Sequence, residues 1–208
     1  MERSKSNFVT VITYVAVNPD DPGFQNPTKP IGPSFTDEQA ANLPYQTVKT
    51  AKGYRRVVAS PDPITIIEKN EINALIKSNF IVICCGGGGI PVIREERAFH
   101  GVDAVIDKDL ASAKLGEEIN ADIFIIASDV SGVSLNYGTP EERLLERMTV
   151  VEAKKYMSDG QFPAGSMGPK VKACIRFAKS KDKHAIITSI ESIEKAVDLI
   201  AGTQIVND

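Results

Sequence analysis

Apolar residues follow two patterns that alternate along this chain. Continuous apolar runs, typical of strands buried on both faces, cover residues 80–85, 122–127, 184–188 and 204–206. Apolar residues at helical spacing cover residues 64–78, 107–119, 149–157, 168–180 and 190–200. Strands of this kind separated by helices form parallel sheets with both faces covered. The pattern therefore predicts an α/β fold, with a mostly parallel sheet sandwiched by helices.

The last of these helices carries an apolar face that is expected to pack in the usual way against the rest of the protein. That face consists of Ile190, Ile193, Ala196, Val197 and Ile200.

The first apolar run, Phe8 to Val17, follows two basic residues and so has some features of a secretory signal peptide. Thr10, Thr13 and Tyr14 interrupt it, turn residues follow it directly, and no small-residue cleavage site is present. A buried β-strand explains the run better. No apolar segment approaches the roughly 20 residues that a membrane span needs, so we expect no contact with membranes.

Residues 18–63 differ from the rest of the chain, because eight of the 12 prolines lie there. Several aromatic residues in the same stretch indicate partial order, so a flexible linker is the less favoured alternative. We predict one domain over residues 1–208, with a small protruding subdomain over about residues 19–60 and a short helix near residues 36–42.

Composition excludes several functional classes. The chain has 208 residues, 25% of them charged, and a net charge of -3, which suits neither a disordered protein nor a nucleic-acid coat. Three cysteines without a Cys-x-x-Cys pair, and two histidines, predict neither a disulfide framework nor a transition-metal site. A reducing, cytoplasmic compartment fits this cysteine usage best.

Four consecutive glycines, Gly86 to Gly89, follow the predicted strand that ends at Cys85. Without Cβ atoms, they allow a backbone to approach a phosphate and to donate amides to it. The run matches neither the P-loop pattern nor GxGxxG, in which Pro91 stands where a glycine is required. A phosphate-binding loop and a plain tight turn are both consistent with it.

Two lysines lie in the first turns of predicted helices, where a cation is unfavourable unless an anion is bound nearby. Lys108 follows a possible helix cap, Asp107, and Lys170 follows Pro169, which favours a helix start. Together they predict a clamp for a transferred phosphoryl group. The alternative for Lys108 is a solvated side chain between Asp107 and Asp109.

Several long strings resemble the carbamate kinases, of the amino-acid kinase superfamily. The matching strings run in order along nearly the whole chain: NPTKPIG at residues 26–32, RRVV at 55–58, CGGGGIPV at 85–92, GVDAVIDKDLAS at 101–112, Asn136-Tyr137, AGSMGPKV at 164–171 and IITS at 186–189. The resemblance implies the amino-acid kinase fold. It also implies reversible phosphoryl transfer from ATP to carbamate, giving carbamoyl phosphate and ADP, often run towards ATP in the catabolism of arginine or related compounds.

The resemblance also implies roles for individual residues. The catalytic residues would be Lys108 and Lys170, which neutralise the phosphoryl group, Asp109, which holds both ammonium groups, and Lys29, which reaches carbamate. Gly86, Gly87 and Gly88 would face the phosphates. The nucleotide would be bound by Asp129, Val130, Tyr137, Met167 and Gly168. Mg²⁺ would enter with ATP or ADP, the protein would hold no metal of its own, and the assembly would be a homodimer.

The family's Gly-Gly-Asn-Ala loop and Gly-Asn-Gly-Pro-Gln-Val segment, both in its amino-terminal third, have no counterpart in this sequence. We therefore expect the chain to correspond to the later two thirds, as a shortened paralogue or as a piece of a longer protein. One alternative function is a catalytically incompetent, nucleotide-binding remnant. Acetylglutamate or uridylate kinase activity is another, and a nicotinamide-dependent oxidoreductase is disfavoured by the failed GxGxxG match.

Overall fold

A computed structural model describes residues 7–96, 98–163, 165–180 and 182–207. The chain divides into two compact units, the first ending at Ala111 and the second beginning at Ser112. Helix α4 (Lys108–Glu118) begins in the first unit and ends in the second.

The first unit contains short strands and three further helices. Its strands are β1 (Asn7–Thr10), β2 (Tyr14–Ala16), β3 (Lys29–Phe35), β4 (Thr47–Thr50), β5 (Gly53–Val58), β6 (Thr65–Ile66), β7 (Phe80–Ile83), β8 (Ile90–Glu95) and β9 (Ala98–Gly101). Its helices are α1 (Pro22–Gln25), α2 (Asp37–Ala41) and α3 (Lys69–Lys77), and residues 86–88 form a 3-10 turn.

These strands form three sheets. Strands β1 and β7 pair in parallel, and the second sheet has the order β6-β2-β8-β9, in which only the central β2–β8 pair is parallel. The third sheet, β3-β5-β4, is antiparallel and lies within the predicted subdomain range of residues 19–60. The domain boundaries themselves stay a prediction.

The amino-terminal apolar run differs from its prediction as one buried strand. It forms two strands in separate sheets, since β1 pairs with β7 whereas β2 pairs with β6 and β8. Val15 is fully buried, but Phe8 is 67% and Ile12 71% exposed. The apolar pattern marks residues that gain from burial, but it does not determine what covers them.

The helix predicted over residues 64–78 begins later, at Lys69. Thr65 and Ile66 pair instead with Ala16 and Val15 as strand β6. Ile66 in β6 and Ile72 in α3 are both buried. The apolar residues that suggested one helix therefore belong to a strand and a helix.

The second unit contains the remaining strands and helices. Its strands are β10 (Ile123–Ser128), β11 (Val133–Leu135), β12 (Arg143–Leu145), β13 (Arg147–Thr149), β14 (His184–Ser189) and β15 (Thr203–Val206). Its helices are α5 (Val150–Ser158), α6 (Met167–Phe177) and α7 (Ile193–Val197), with a 3-10 turn at residues 190–192.

A four-stranded sheet with the order β10-β14-β15-β13 forms the centre of this unit. Strand β14 is parallel to β10 and antiparallel to β15. Ile186 and Ile187 on β14 and Ile205 on β15 are fully buried. The rings of Phe124 and Phe177 contact each other at a centroid distance of 5.4 Å. The α/β class is therefore confirmed, and the sheets are mixed, because parallel pairs are combined with antiparallel pairs.

The helix predicted over residues 190–200 is shorter than expected and its apolar face does not pack as a core face. A 3-10 turn precedes α7, and only Ala196 of the predicted face is buried, whereas Ile190, Ile193, Val197 and Ile200 are exposed. Helical spacing identifies a face, but burial requires a partner surface, which this face lacks among the described residues.

None of the helices in the described ranges is both long and apolar enough to cross a bilayer.

Candidate functional site

Asp107 pairs with Lys29 in the first unit, although 78 residues separate them in the sequence. The Lys29 ammonium donates a hydrogen bond to Oδ2 of Asp107 over 2.6 Å, and the two side chains are only 32% and 12% exposed. A short, partly buried pair of opposite charges is favoured over surface ion pairs because solvent screens it less. The pair brings the start of β3 to the start of α4.

The other oxygen of Asp107 caps helix α4. Its Oδ1 accepts hydrogen bonds from the backbone N–H groups of Asp109, over 2.9 Å, and Leu110, over 3.3 Å. Burial alone would raise the pKa of Asp107, but the Lys29 ammonium and these two amides outweigh it and lower the pKa below its usual value. Asp107 is therefore a carboxylate with both oxygens occupied. The sequence predicted the cap and missed the ion pair.

Lys108 and Asp109 occupy the first turn of α4. Lys108 is exposed, and its ammonium lies 3.9 Å from Oδ1 of Asp109, whose own side chain is almost buried. This arrangement leaves the lysine head at the surface and places a carboxylate beside it. The role of Asp109 in holding two ammonium groups stays a prediction.

The glycine run forms a tight turn whose members have different surroundings. Gly87, Gly88 and Gly89 all have positive φ, and a Cβ on Gly88 would lie 2.2 Å from the carbonyl oxygen of Ile106. Gly86 and Gly87 are exposed, and a Cβ on either would meet nothing within 4 Å. The turn therefore packs against the residue that precedes Asp107 while it presents two glycines to solvent.

The residue before this turn is Cys85, whose side chain is buried. It has a left-handed φ of 54°, and its N–H donates to the Thr13 hydroxyl over 3.0 Å. The thiol of the half-buried Cys84 and burial together raise the pKa of Cys85, so that thiol stays protonated.

The second unit contains a cleft of about 440 Å³ that brings together five of the six nucleotide-site or catalytic residues predicted there. These five are Asp129, Val130, Tyr137, Met167 and Lys170. The sixth, Gly168, is buried and a Cβ on it would lie 3.0 Å from the Pro163 carbonyl oxygen, so it packs behind the lining. The cleft also contains residues that sequence reasoning missed, among them Ser128, Glu142, Gln161 and Phe162.

The loop that carries Tyr137 is held by side-chain contacts. Gln161 and Asn136 bind each other reciprocally: the Asn136 N–H donates to Oε1 of Gln161 over 2.8 Å, and Nε2 of Gln161 donates to Oδ1 of Asn136 over 3.2 Å. Glu142 accepts from the Gly138 N–H over 3.0 Å. The aromatic ring of Tyr137 is exposed on this ordered loop, at the cleft.

Lys170 reaches the cleft from the first turns of α6. The helix begins at Met167, so Pro169 is its third residue and precedes Lys170 without interrupting an established helix. The Gly168 N–H donates to the Pro163 carbonyl over 2.9 Å, which fixes the chain as it enters the helix. Lys170 is the fourth residue of α6, near the amino-terminal end, where the helix dipole favours anions.

Thr203 lies next to Gly132, which lines the cleft, and had no signal in the sequence. Its buried hydroxyl donates to the Leu145 carbonyl and accepts from the Val133 N–H, so one side chain on β15 joins β11 and β12. A Cβ on Gly132 would lie 2.6 Å from this hydroxyl. Only a glycine fits at position 132, and its lack of a side chain allows the loop of residues 128–132 to lie close to β15.

No group of three or more His, Cys, Asp or Glu side chains suited to a metal ion occurs among residues 7–96, 98–163, 165–180 and 182–207.

Comparison with known proteins identifies the family. The family model described as "Amino acid kinase family" matches residues 31–189. A carbamate kinase of Pyrococcus horikoshii is 50% identical over 95% of this chain and 64% of its own length. A carbamate kinase of Trichomonas vaginalis is 47% identical over 99% of this chain and 68% of its own length. The chain thus spans about two thirds of the length of the curated relatives that it matches.

A solved structure agrees with these sequence matches. Carbamate kinase from Giardia lamblia bound to AMP-PNP superimposes with a TM-score of 0.86 at 43% identity, over 98% of this chain and 66% of that one. The chain therefore belongs to the amino acid kinase family, in which it groups with the carbamate kinases.

Proposed function

We propose that this chain carries a large part of the machinery of a carbamate kinase, which transfers a phosphoryl group reversibly between ATP and carbamate. The observation that carries the proposal is the cleft in the second unit, in which Lys170 lies with Asp129, Tyr137 and Met167. The identity of about half to carbamate kinases over nearly the whole chain supports the same reaction.

The nucleotide is proposed to occupy that cleft. The Giardia lamblia relative is described as bound to AMP-PNP, an ATP analogue, which supports a nucleotide site in this fold. Tyr137 and Met167 offer apolar surface to a base, Asp129 and Val130 border the ribose, and Lys170 supplies positive charge to the phosphates. Gly168 contributes by allowing α6 to begin close to Pro163.

Lys29, Lys108 and the exposed glycines are proposed to act on the carbamate and on the phosphoryl group. Gly88 packs against Ile106, so the turn of Gly86 and Gly87 is fixed next to the segment that leads into α4. Lys108 starts that helix, and Asp107 holds Lys29 at the same point. Two cations and exposed glycines can stabilise the negative charge of the acceptor and of the phosphoryl group during its transfer.

The chemistry requires positioning and charge rather than a strong base. A carbamate oxygen, already anionic, attacks the γ-phosphorus of ATP, and the bond to the β,γ-bridging oxygen breaks so that ADP leaves with its electron pair. By resemblance to the carbamate kinases, Lys108 and Lys170 are proposed to stabilise the charge on the transferred group and the leaving oxygen, and Asp109 to hold both ammonium groups. No covalent intermediate with the enzyme is expected.

Mg²⁺ is proposed to arrive with the nucleotide. Magnesium ions are usually held by substrate phosphates and water with only one or two protein carboxylates, so a dedicated protein cage is not required.

Three finer features are proposed on resemblance alone. The protein would act as a homodimer, reside in the cytoplasm and regenerate ATP in the breakdown of arginine or related compounds.

The test is ATP formation from carbamoyl phosphate and MgADP by the purified chain. We expect Lys108→Ala to lose at least roughly 100-fold in kcat, since it removes a charge at the reacting group. Lys52→Ala, which removes an exposed lysine in the turn between β4 and β5, should keep the wild-type rate. A folded wild-type chain that binds ADP and makes no ATP would overturn the proposal in favour of a nucleotide-binding remnant.

A further inference from the structure

We propose that Asp107 is the positioning residue of the carbamate site: it holds the Lys29 ammonium where the acceptor binds. This inference rests on the proposed function, because it assigns Lys29 to the acceptor. It concerns Asp107, which does not itself need to touch the substrate.

The two carboxylate oxygens of Asp107 have different partners. Oδ1 is fixed by the N–H groups of Asp109 and Leu110, so the carboxylate cannot rotate without uncapping α4. Oδ2 then points to Lys29 at 2.6 Å. One side chain therefore sets the direction of the helix that bears Lys108 and the location of the second cation.

Backbone hydrogen bonds already join the segments on both sides of the ion pair. Lys29 on β3 pairs with Val58 on β5, and the next residue, Ala59, forms a parallel bridge with Ala104. The Val105 N–H also donates to the Ala59 carbonyl over 3.0 Å. The main chain at Lys29 is thus held close to the segment that ends at Asp107.

A fixed backbone does not fix a lysine head, because four rotatable bonds separate the two. Ordering a lysine side chain costs rotamer freedom. In this protein the ion pair with Asp107 orders the Lys29 side chain before any substrate binds. An ammonium group has three donors, so after one is used by Asp107 two stay available for an anionic acceptor.

Asp107→Asn is the decisive variant, because it separates the two functions of the carboxylate. Asparagine is as good a helix cap as aspartate, so the capping of α4 should persist. The charge that holds Lys29 is lost. We expect the KM for carbamoyl phosphate to rise about ten-fold or more, as for other positioning defects, while the KM for ADP stays within about two-fold.

Asp103→Asn is the matched control, four residues earlier in the same segment. Asp103 is 92% exposed and its carboxylate lies 3.9 Å from a guanidinium nitrogen of Arg56, so its pairing is of the weak surface kind. Both KM values should be unchanged in this variant. If Asp103→Asn raised the KM for carbamoyl phosphate as much as Asp107→Asn does, the inference would be overturned. Loss of any negative charge from this segment would then explain the effect of both variants.

A double-mutant cycle tests whether Asp107 acts through Lys29. Lys29→Gln and Asp107→Asn combined should raise the KM for carbamoyl phosphate no further than Lys29→Gln alone. Multiplication of the two effects would show that Asp107 acts independently of Lys29 and would overturn the inference. If Asp107→Asn does not fold, Asp107→Glu displaces the carboxylate by one methylene and should give the same selective rise in KM.

The proposed function can fail separately. Absence of turnover by the wild-type chain overturns the kinase proposal, and calorimetric titration with carbamoyl phosphate then decides the positioning role without turnover. Binding that weakens about ten-fold in Asp107→Asn and is unchanged in Asp103→Asn supports the role. Equal binding by wild type and Asp107→Asn, or no binding by any of the proteins, overturns it.

Discussion

Gly88 and Ile106 approach each other so closely that a Cβ on Gly88 would lie 2.2 Å from the Ile106 carbonyl oxygen. This contact joins the exposed glycine turn to the residue before Asp107. Backbone atoms therefore fix the distance between the proposed phosphate-binding glycines and the start of α4.

Gly88→Ala is expected to destabilise the first unit strongly. The residue has a φ of 101°, which side chains rarely adopt, and the added methyl group would overlap a backbone atom that cannot move alone. Strain and overpacking together should lower the free energy of unfolding by at least about 3 kcal/mol. Urea unfolding followed by circular dichroism measures this difference.

Gly86→Ala is the matched control, two residues earlier in the same turn. A Cβ there meets nothing within 4 Å, so stability should change by less than about 1 kcal/mol. Equal losses in both variants would show that the turn does not pack against Ile106 as described.

Two buried threonines on neighbouring strands should respond oppositely to replacement by valine. Thr203→Val removes a hydroxyl that serves both the Val133 N–H and the Leu145 carbonyl, and should lower stability by about 2–4 kcal/mol. Thr188 is equally buried, but its hydroxyl has no hydrogen-bond partner within the described part of the chain. Thr188→Val should therefore be neutral or stabilising.

Thermal unfolding of the two valine variants at one pH, compared with the wild type, is sufficient for this test. The contradicting result is a Thr188→Val variant as unstable as Thr203→Val, which would reveal a hydrogen bond to the Thr188 hydroxyl.

The ion pair of Asp107 should make stability depend on pH in a defined direction. The pKa of Asp107 is lower in the folded protein than the value of about 3.9 expected when unfolded, so its contribution is present above that value. It is lost as pH falls through the folded-state pKa. The stability difference between wild type and Asp107→Asn should be constant from about pH 7 to pH 5 and shrink below about pH 4.

Unfolding midpoints of both proteins at closely spaced pH values measure this difference. A difference that grows on acidification would have the wrong sign and would mean that Asp107 is not the stabilised carboxylate.

Lys170→Met should weaken nucleotide binding by about ten-fold or more, because it removes a charge-assisted contact to the phosphates. Lys172→Met is the control on the same helix, since Lys172 is exposed and does not line the cleft. Calorimetry with ADP at fixed ionic strength compares the two. Equal weakening would indicate a general effect of net charge rather than a contact made by Lys170.

Local features of the sequence predicted local structure well. Helix α5 begins where expected because Thr149 and Glu152 form a reciprocal capping box three residues apart, and the Asp107 cap of α4 likewise depends only on its neighbours. Helix α2 has the same kind of cap, from Thr36 and Gln39. Such signals need no knowledge of the rest of the chain.

Contacts between distant residues were not predictable in this way. The pairing of Lys29 with Asp107 spans 78 residues, and that of Thr203 with Val133 spans 70. Nothing in the spacing of polar residues identifies either partner, since each residue alone is consistent with a surface position or a turn. The resemblance to carbamate kinases supplied candidate site residues, whereas the supporting contacts emerged only with the fold.

The parallel β1–β7 pair implies an uneven distribution of stability within the molecule. It has two strands of four residues each, and Phe8, Ile81 and Ile83 on it are exposed to about half or more of their surface. A ribbon of two strands has little cooperative support, so its amides should exchange with deuterium long before those of the buried β14. Transient opening there would release unpaired strand edges lined with apolar side chains. Concentrated samples would therefore begin to aggregate from this ribbon, while the four-stranded sheet of the second unit is still intact.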